Sequence, residues 1–414
     1  MANTLMTYGV YYYDQSKTGH GMAGRISDTG GSSVTVTPNL NTGLNGDPTV
    51  HAFYDPSGNA RFAVTDYQDG TNRSVYVYDY SGSLVTTRTW LNVENLYSLV
   101  RIGDYLYALD YDNAKVVEIR ATGTPTTIYT ETGVTYTFRH APAGYHGIGM
   151  ALAVYNGTLY GLFSVTNGTW TTYQNSWVVQ FSISAGSSID EVASNGNFEK
   201  NAFTLIEHDG YFYVCAIGGQ QTNTGYNPNS KLQCVQISSI TSTPTAVLSA
   251  PDVLYELRDV TFNGSTVYVL AGSYNASWNL AGKLLSYAVS SPTSFTSQST
   301  VVDFSGGVAG YYWAALYTAD NGRLWFAKGN EIDAVGTAIS LHVSDLKGGG
   351  NYTSLNDMAY VGTASAMAAK VRGYRSPLQA SRLNLAASLR GKTAGRPEAT
   401  PKELEEATRE LRVD

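Results

Sequence analysis

The sequence predicts an all-β protein assembled from repeated four-stranded antiparallel sheets, and three observations lead to this prediction. Residues Leu152–Phe163 read as two alternating apolar strands joined by Asn156-Gly157, a pair that favours the positive φ angles of a type I′ hairpin turn. The same pattern returns at steps of 45, 54, 53, 54 and 58 residues, with its turn glycine at Gly58, Gly103, Gly157, Gly210, Gly264 and Gly322. An aromatic residue follows each turn glycine by three or four positions, at Phe62, Tyr107, Tyr160, Tyr213, Tyr268 and Trp325. A hairpin repeated at this spacing indicates a ring or stack of similar units.

Each repeat contains four predicted strands. In the repeat that begins near residue 95, these are Tyr97–Ile102, Tyr105–Asp110, Lys115–Arg120 and Thr126–Tyr129. Four-stranded units at this period, without helical segments between them, fit a β-propeller, whereas sandwich domains need about 100 residues each. The six units span residues 50–91, 95–130, 148–190, 202–250, 257–304 and 310–350. The repeated aromatic residues are predicted to pack between adjacent blades.

A seventh blade is predicted from the two ends of the chain. Tyr8–Asp14, Gly21–Ser27 and Ser33–Pro38 resemble second, third and fourth strands, and Leu355–Gly362 resembles a first strand without followers. Joining them closes the ring and removes two exposed sheet edges. The alternative is that Thr4–Tyr8 is itself the first strand and turns at Tyr8-Gly9. We therefore expect a seven-bladed propeller, closed by a C-terminal strand, over residues 1–363.

Composition separates the body from the C-terminal tail, residues 364–414. The whole chain has a net charge of −7. Residues 366–414 hold ten Lys/Arg and six Asp/Glu, so the body is strongly acidic, which argues against binding to nucleic acid or an anionic membrane. The tail is predicted to be either flexible or formed of short helices, at 377–390 and after the capping box Thr400–Glu403. A docked tail would mediate self-assembly through a neighbouring subunit.

The low content of charged residues and the abundance of Tyr and Gly are typical of exported, cell-surface or virion proteins. Charged residues are only 14% of the chain, and Tyr (32 residues) and Gly (42 residues) are abundant. No signal peptide and no apolar run of about 20 residues is recognised, so no membrane span is expected. Cys215 and Cys234 fall on neighbouring predicted strands, where a disulfide and two buried thiols are both consistent with the sequence.

Propeller geometry predicts which face carries function. Tight first-to-second turns lie on one face; second-to-third loops and inter-blade loops lie on the other, which we call the long-loop face. Long aromatic loops are predicted at Thr166–Ser176, Gly219–Ser230 and Ser273–Gly282, with an inter-blade loop at Glu131–Met150. Function is commonly carried on long loops held by a rigid scaffold. The candidate binding residues are Arg139, His140, Tyr145, His146, Trp170, Tyr173, Tyr226, Tyr274, Trp278 and Trp313.

Motifs for cofactors and metals are weak. Gly19–Gly24 matches G-x-G-x-x-G, but strands follow where a dinucleotide site needs a helix, so we interpret it as a hairpin loop. Asp66–Asn72 resembles a calcium loop but lacks its regular ligand spacing and terminal Glu, so we interpret it as a turn, with calcium as the alternative. No cofactor is expected. Around the channel mouth, first-strand starts supply Asp47, Glu94, His146, Glu199, Glu256, Trp313 and Asp357. Such a ring could hold a cation or supply an acid–base pair.

The repeat resembles seven-bladed β-propellers as a superfamily over about residues 1–363. The paired glycines of kelch blades and the Trp-Asp strand ending of Trp-Asp repeat blades are absent, so no family residues are transferred, and fold does not imply function. The leading hypothesis is a non-enzymatic surface protein that binds a protein or glycan partner. The alternatives are a carbohydrate-active lyase or hydrolase using Tyr145, His146 and nearby carboxylates, and a structural filament or oligomer subunit.

Overall fold

The computed structural model describes most of the propeller. The described residues are 4–13, 19–44, 49–54, 59–65, 72–79, 81–91, 96–121, 129–277, 279–307, 314–319, 321–328, 331–342, 345 and 360–361. The predicted boundary between body and tail, at residues 363 and 364, lies outside these ranges, as does the whole tail.

The strands form seven four-stranded antiparallel sheets. The chain begins with β1 (Thr4–Tyr13), β2 (Gly19–Asp28) and β3 (Thr35–Leu44). Blade 1 is β4 (Thr49–Tyr54), β5 (Ala60–Thr65), β6 (Asn72–Asp79) and β7 (Leu84–Leu91). Blade 2 is β8 (Leu96–Ile102), β9 (Tyr105–Asp110), β10 (Lys115–Ala121) and β11 (Tyr129–Thr137). Blade 3 is β12 (Tyr145–Tyr155), β13 (Thr158–Asn167), β14 (Tyr173–Ser184) and β15 (Ser188–Phe198).

The second half of the ring repeats this arrangement. Blade 4 is β16 (Ala202–His208), β17 (Tyr211–Ala216), β18 (Lys231–Gln236) and β19 (Thr245–Ser249). Blade 5 is β20 (Leu257–Asn263), β21 (Thr266–Tyr274), β22 (Leu280–Ser291) and β23 (Ser294–Asp303). Blade 6 is β24 (Ala314–Thr318), β25 (Leu324–Lys328), β26 (Glu331–Ala334) and β27 (Ser340–His342). In the described part, the helical elements of more than one residue are a 3₁₀ turn, Ile237–Ser239, and a short helix, α1, Ala250–Val253. None of the helices found there has the length and apolar character needed to cross a membrane.

The ring is closed by a C-terminal strand, as predicted. Strand β28 (Tyr360–Val361) pairs antiparallel with β1, so that Tyr360 lies opposite Tyr11 and Val361 opposite Val10. The sheet order is β28-β1-β2-β3, which makes β28 the first strand of the closing blade. Because β1 runs unbroken from Thr4 to Tyr13, the alternative turn at Tyr8-Gly9 is wrong. The motif Gly19–Gly24 lies within β2 rather than in a hairpin loop.

The tight turns have the geometry that their residues predict. Asn156 and Gly157 have φ angles of 48° and 76°, and Asp209 and Gly210 have 48° and 78°, as a type I′ turn requires. Five of the six repeated aromatic residues are buried in the packed sheets, and Tyr268 is half-buried. Cys215 and Cys234 are unbonded and buried, and burial raises the pKa of both thiols, that of Cys234 to about 11.

Polar side chains connect neighbouring blades through their innermost strands. Blades 2, 4 and 5 each contain a register shift near the start of the first strand, and the residue after it is Ser98, Thr204 or Asp259. The bonds are Leu152 N–H to Ser98 Oγ (3.1 Å), Thr204 Oγ1–H to Arg258 O (3.1 Å) and Leu316 N–H to Asp259 Oδ2 (2.9 Å). These bulges therefore fix the register between successive blades while satisfying buried backbone groups.

One predicted strand was misplaced. The fourth strand of blade 2 was expected at Thr126–Tyr129, followed by a long loop over Glu131–Met150, but β11 extends over Tyr129–Thr137 and β12 begins at Tyr145. Val134 and Tyr136 are buried and their neighbours are exposed, which is the period-2 pattern of a strand. Gly133 and the surrounding Thr residues concealed this alternation.

Candidate functional site

The loops of the long-loop face are shorter than predicted in two of three blades. Strand pairing reduces the loop of blade 3 to residues 168–172 and the loop of blade 5 to residues 275–279. Only blade 4 keeps a long loop, residues 217–230. Ser, Thr and Asn residues that suggested loops pair in strands instead, because their backbone groups complete the ladders of long hairpins.

The side chain of Asn167 organises the loop of blade 3. Its Oδ1 accepts hydrogen bonds from the backbone N–H groups of Thr171 (2.9 Å) and Thr172 (3.1 Å). Its Nδ2 donates to the hydroxyl oxygens of Thr169 (2.9 Å) and Thr171 (3.1 Å). An Asn side chain readily forms such local hydrogen bonds. Here it bonds backbone N–H groups that have no strand partner within the turn.

Trp170 stands at the tip of this loop in a strained conformation. Its φ angle is 59°, which lies in the left-handed region that residues other than glycine rarely adopt and bulky residues least of all. Its backbone N–H donates to the carbonyl oxygen of Asn167 at 3.1 Å. The Trp170 residue nevertheless remains 39% exposed. A strained, exposed aromatic residue held by its own loop is a reason to suspect a ligand site.

An aromatic cluster forms around Trp170, and we define the Trp170 cluster as Tyr111, His146, Trp170 and Tyr173. The Trp170 ring stacks on Tyr111, with ring centroids 6.0 Å apart and planes within 6°. The His146 ring lies nearly perpendicular to the Trp170 ring, with ring centroids 5.7 Å apart and an angle of 78° between the planes. Burial raises the pKa of the Tyr111 hydroxyl, and nearby Tyr173 adds to that shift. Blades 2 and 3 together build this surface.

Sequence reasoning placed three members of the Trp170 cluster on the long-loop face but missed Tyr111. Tyr111 follows β9, in the second-to-third loop of blade 2, and its carbonyl oxygen accepts hydrogen bonds from the N–H groups of Gly149 (3.0 Å) and Ala114 (3.4 Å). It therefore supports both Trp170 and the start of β12. The signal that could have found it is its position, directly after the second strand of the neighbouring repeat.

Arg139 and His140 belong to a different cluster, between the outer strands of blades 2 and 3. Glu191 Oε1 lies 2.7 Å from His140 Nε2, and its Oε2 accepts a 2.7 Å hydrogen bond from the Tyr136 hydroxyl. Arg139 Nε lies 3.4 Å from the same Oε2. The His140 ring stacks on Trp177 at 4.2 Å. Burial opposes ionisation of Glu191, but hydrogen bonds from Tyr136, Ser194 and His140 outweigh it, and its pKa is lowered.

The other predicted binding residues are dispersed. Tyr145 and Tyr226 are half-buried and pack against hydrophobic core clusters. Tyr274 is 3% exposed, and the guanidinium carbon of Arg258 lies 4.7 Å from its ring centroid. Trp278 and Trp313 lie outside the described residues.

A buried ion pair anchors the long loop of blade 4. Arg258 Nη2 lies 2.8 Å from Glu256 Oε2, and the two side chains are 3% and 1% exposed. The other oxygen, Oε1, accepts a hydrogen bond from the backbone N–H of Asn227 at 3.2 Å. Burial raises the pKa of Glu256, and Arg258 and the Asn227 N–H oppose that shift.

The described members of the channel-mouth ring have separate partners. Glu256 pairs with Arg258, and Glu199 Oε2 lies 2.8 Å from Lys231 Nζ. Within the described part of the chain, no three His, Cys, Asp or Glu side chains are arranged to hold a metal ion. Asp47, Glu94, Asp357 and residues 66–71 of the calcium-like motif lie outside the described ranges.

Comparison with known proteins supports the fold alone. No family model and no curated protein matches the sequence. A solved structure of a protein from Lactobacillus plantarum is similar with a TM-score of 0.56 and 11% identity, over 87% of this chain and 99% of that one. A protein named provisionally as a 6-phosphogluconolactonase, from Bacteroides uniformis, is similar with a TM-score of 0.52 and 10% identity, over 86% of this chain and 98% of that one. At these identities the likeness shows the architecture and nothing finer.

Proposed function

We propose that this protein is a non-enzymatic binding propeller that holds a neutral glycan on the Trp170 cluster. The observation that carries the proposal is the exposed Trp170 ring, stacked on Tyr111 and held at positive φ by the Asn167 cap. Keeping an aromatic ring in a strained and solvent-exposed position costs free energy, of order 1–3 kcal/mol for the backbone alone. A binding role explains why that cost is retained.

The chemistry of the cluster suits a sugar. One side of the indole is backed by Tyr111, and the exposed part of the ring offers a flat apolar surface for the C–H groups of a pyranose. The His146 ring lies nearly perpendicular to the same indole, with ring centroids 5.7 Å apart, and an imidazole nitrogen can hydrogen-bond a sugar hydroxyl. Ligand sites commonly combine aromatic walls with a few oriented polar groups in this way.

Charge favours a neutral glycan over an anionic one. The Trp170 cluster contains no Lys or Arg, and Asp112 lies close enough to Tyr111 to raise its pKa. A carboxylated or sulfated sugar would meet no cation in the cluster and would approach this acidic group. The surface location predicted from composition is part of the same proposal, since exported and virion proteins meet glycans.

Affinity electrophoresis tests the proposal. The full chain is run through gels containing xylan, mannan, laminarin, hydroxyethylcellulose or amylose, with alginate as the anionic comparison. We expect at least one neutral glycan to retard the wild type, and Trp170→Ala to weaken that binding about tenfold or more, as loss of a central aromatic anchor does. Leu84→Ala, which truncates a residue that is 54% exposed on blade 1, is the matched control and should bind normally.

Two results would contradict the proposal. One is the absence of retardation by every neutral glycan. The other is equal binding by wild type and Trp170→Ala. Capture of a protein partner that depends on Trp170, without glycan binding, would assign the same surface to a protein ligand instead.

A further inference from the structure

A cleft of about 430 Å³ opens between blades 5 and 6, at the face that carries the tight first-to-second turns. Tyr268 on β21 and Val301 on β23 line it from blade 5. Leu324 on β25 and Val335, in the turn after β26, line it from blade 6. Its volume lies within the range of small-molecule sites. We propose that this cleft is a separate site, which binds a small aromatic compound through its ring and through an oxygen atom that accepts hydrogen bonds.

The cleft is formed by a difference in strand length between the two blades. Strands β22 and β23 of blade 5 have 12 and 10 residues, whereas the described strands β26 and β27 of blade 6 have 4 and 3. Every residue of β23 is exposed or half-buried, whereas the outer strand of blade 3, β15, buries Ile189, Asn195 and Phe198. The described strands of blade 6 are therefore too short to cover the outer part of blade 5, and the cleft lies where this cover is missing.

Tyr268 is the one repeated aromatic residue that is not buried. The equivalent residues of the blades on either side, Tyr213 and Trp325, are 1% and 0% exposed. Tyr268 is half-buried and packs against a hydrophobic cluster that includes Leu324. Within the described part of the chain, its hydroxyl has no hydrogen-bond partner. The ring can therefore stack on an aromatic ligand, and the hydroxyl can bond the polar atoms of that ligand.

A buried carboxylate holds Arg323 at the rim of the cleft. Asp28 is fully buried, and its Oδ1 accepts hydrogen bonds from Arg323 Nη1 (2.6 Å) and the Gly30 N–H (2.8 Å). Its Oδ2 accepts a 2.9 Å hydrogen bond from Asn321 Nδ2. Arg323 Nη2 donates to the Gly31 carbonyl oxygen at 2.8 Å. Two of the five N–H groups of the guanidinium are thus bonded, and the others have no partner among the described residues.

The polar groups of the cleft determine which ligand it suits. Arg323 is the only charged residue among the described residues that line the cleft, and Asp28 balances its charge. The remaining guanidinium N–H groups donate hydrogen bonds, and the Tyr268 hydroxyl can also donate, so the ligand must supply an acceptor oxygen. The walls are apolar and favour a flat apolar body. An aromatic ring that carries a carboxylate or an amide carbonyl meets both requirements.

Ligand-observed NMR with two matched probes tests the inference. The probes are 2-naphthamide and 2-naphthoate, which share one ring system and differ in charge, and cyclohexanecarboxylate is the non-aromatic comparison. We expect at least one naphthyl probe to bind the full chain with a dissociation constant of about 1 mM or lower. Cyclohexanecarboxylate should bind about tenfold more weakly, because it cannot stack on Tyr268. The tighter of the two naphthyl probes identifies the ligand as anionic or neutral.

Two exposed valines provide a matched pair of variants. Val301 and Val192 are 37% and 55% exposed on the outer strands of blades 5 and 3. Val301→Lys places a long charged side chain at the cleft and should weaken probe binding about tenfold or more, whereas Val192→Lys should bind as the wild type does. Tyr268→Phe keeps the ring, removes the hydroxyl and should weaken binding about threefold. Melting temperatures of the three variants control for folding.

Three results would overturn the inference. They are no binding by either naphthyl probe, equal affinity for cyclohexanecarboxylate, and equal affinities of the wild type and Val301→Lys. A wild-type dimer that Val301→Lys separates, without probe binding, would assign the cleft to a second copy of the chain instead. Because the cleft lies on other blades than Trp170, Trp170→Ala should bind the probe as the wild type does. Failure of glycan binding would therefore remove the proposed function and leave this site in place.

Discussion

The loops of blades 3 and 4 occupy equivalent places in the ring, yet they present their aromatic residues in opposite ways. The short loop of blade 3 is closed by its own Asn167 and leaves Trp170 exposed. The long loop of blade 4 is tied to the buried Glu256–Arg258 pair through Asn227, and its Tyr226 packs against the core. An aromatic residue in a loop is thus a candidate ligand contact only where the loop supplies its own cap. Where the core supplies the anchor, the ring is drawn inward.

Breaking the buried anchor of the blade 4 loop should have the largest effect. Glu256→Ala or Arg258→Ala leaves an unpaired charge in the interior, which typically costs roughly 3–5 kcal/mol. Urea denaturation should show this loss in the free energy of unfolding, and limited proteolysis should cut near residues 217–230. Binding at Trp170 should be retained in the folded protein. If the double variant Glu256→Met/Arg258→Met is no more stable than the single variants, the anchor model is wrong.

The pH dependence of stability tests the adjoining contact between blades 5 and 6. Burial raises the pKa of Asp259 to about 7, against an ordinary value of 3.8. Because the pKa of Asp259 is raised in the folded state, Asp259 contributes favourably to the free energy of unfolding at low pH. This contribution is fully present below about pH 4 and is lost as pH rises towards 7. The predicted loss is at most about 4 kcal/mol, and Glu256, whose pKa is also raised, changes stability in the same direction.

Denaturation midpoints between pH 4 and 8 measure this effect. Asp259→Asn should flatten the slope, while Thr204→Val, at the equivalent place in blade 4, should lower stability without altering the slope. An unchanged slope in Asp259→Asn would contradict the assignment.

Removing the cap of the blade 3 loop should have an intermediate effect. Asn167→Ala deletes hydrogen bonds to two backbone N–H groups, and we expect a loss of about 1–2 kcal/mol, as for other side-chain caps. Glycan affinity should fall with it, because Trp170 loses its fixed position. Equal affinity in Asn167→Ala and wild type would show that the cap does not position the ring.

A matched pair of substitutions at Trp170 gives a smaller and cleaner test of strain. Both Trp170→Gly and Trp170→Ala remove the ring, but glycine adopts positive φ without the penalty that alanine incurs. The glycine variant should therefore be more stable by about 1 kcal/mol in thermal or urea denaturation. Identical stabilities would mean that the loop relaxes away from φ 59° once the ring is absent.

The C-terminal tail should matter least for stability. Its basic charge and short amphipathic segments still predict a role in self-assembly. Comparison of the full chain with residues 1–363 by size-exclusion chromatography and light scattering tests this prediction. We expect the truncated chain to keep its melting temperature and to form smaller assemblies; identical assemblies would remove the tail from the account.

Local signals made the fold predictable. Asn156-Gly157 and Asp209-Gly210 turn as their residues require, and the periodic aromatic residues identify where adjacent blades pack. Residues near both termini carried enough strand pattern to predict that β28 closes the ring. These inferences depend on neighbours in sequence, which is why they could be made without a structure.

The site could be predicted only in part, because its contacts cross between blades. The sequence placed His140 among the candidate binding residues, but it could not show that Glu191, on β15, lies 2.7 Å from the His140 ring nitrogen. Tyr111 was missed since its partner Trp170 belongs to the next blade. The loop lengths were overestimated because the capping action of Asn167 depends on hydrogen bonds to residues 171 and 172, which composition does not reveal.

The central claim is that Trp170 contacts a neutral glycan. The most direct test is to follow the NMR signal of the Trp170 indole Nε1–H during a glycan titration. The signal is assigned by its absence in Trp170→Phe. The probe is a trisaccharide of the neutral glycan that retards the wild type in the affinity gels. The account predicts a saturable shift of this signal, with the same dissociation constant as calorimetry gives, and upfield shifts of the sugar C–H protons. Glycan binding that leaves the Trp170 signal unmoved would contradict it.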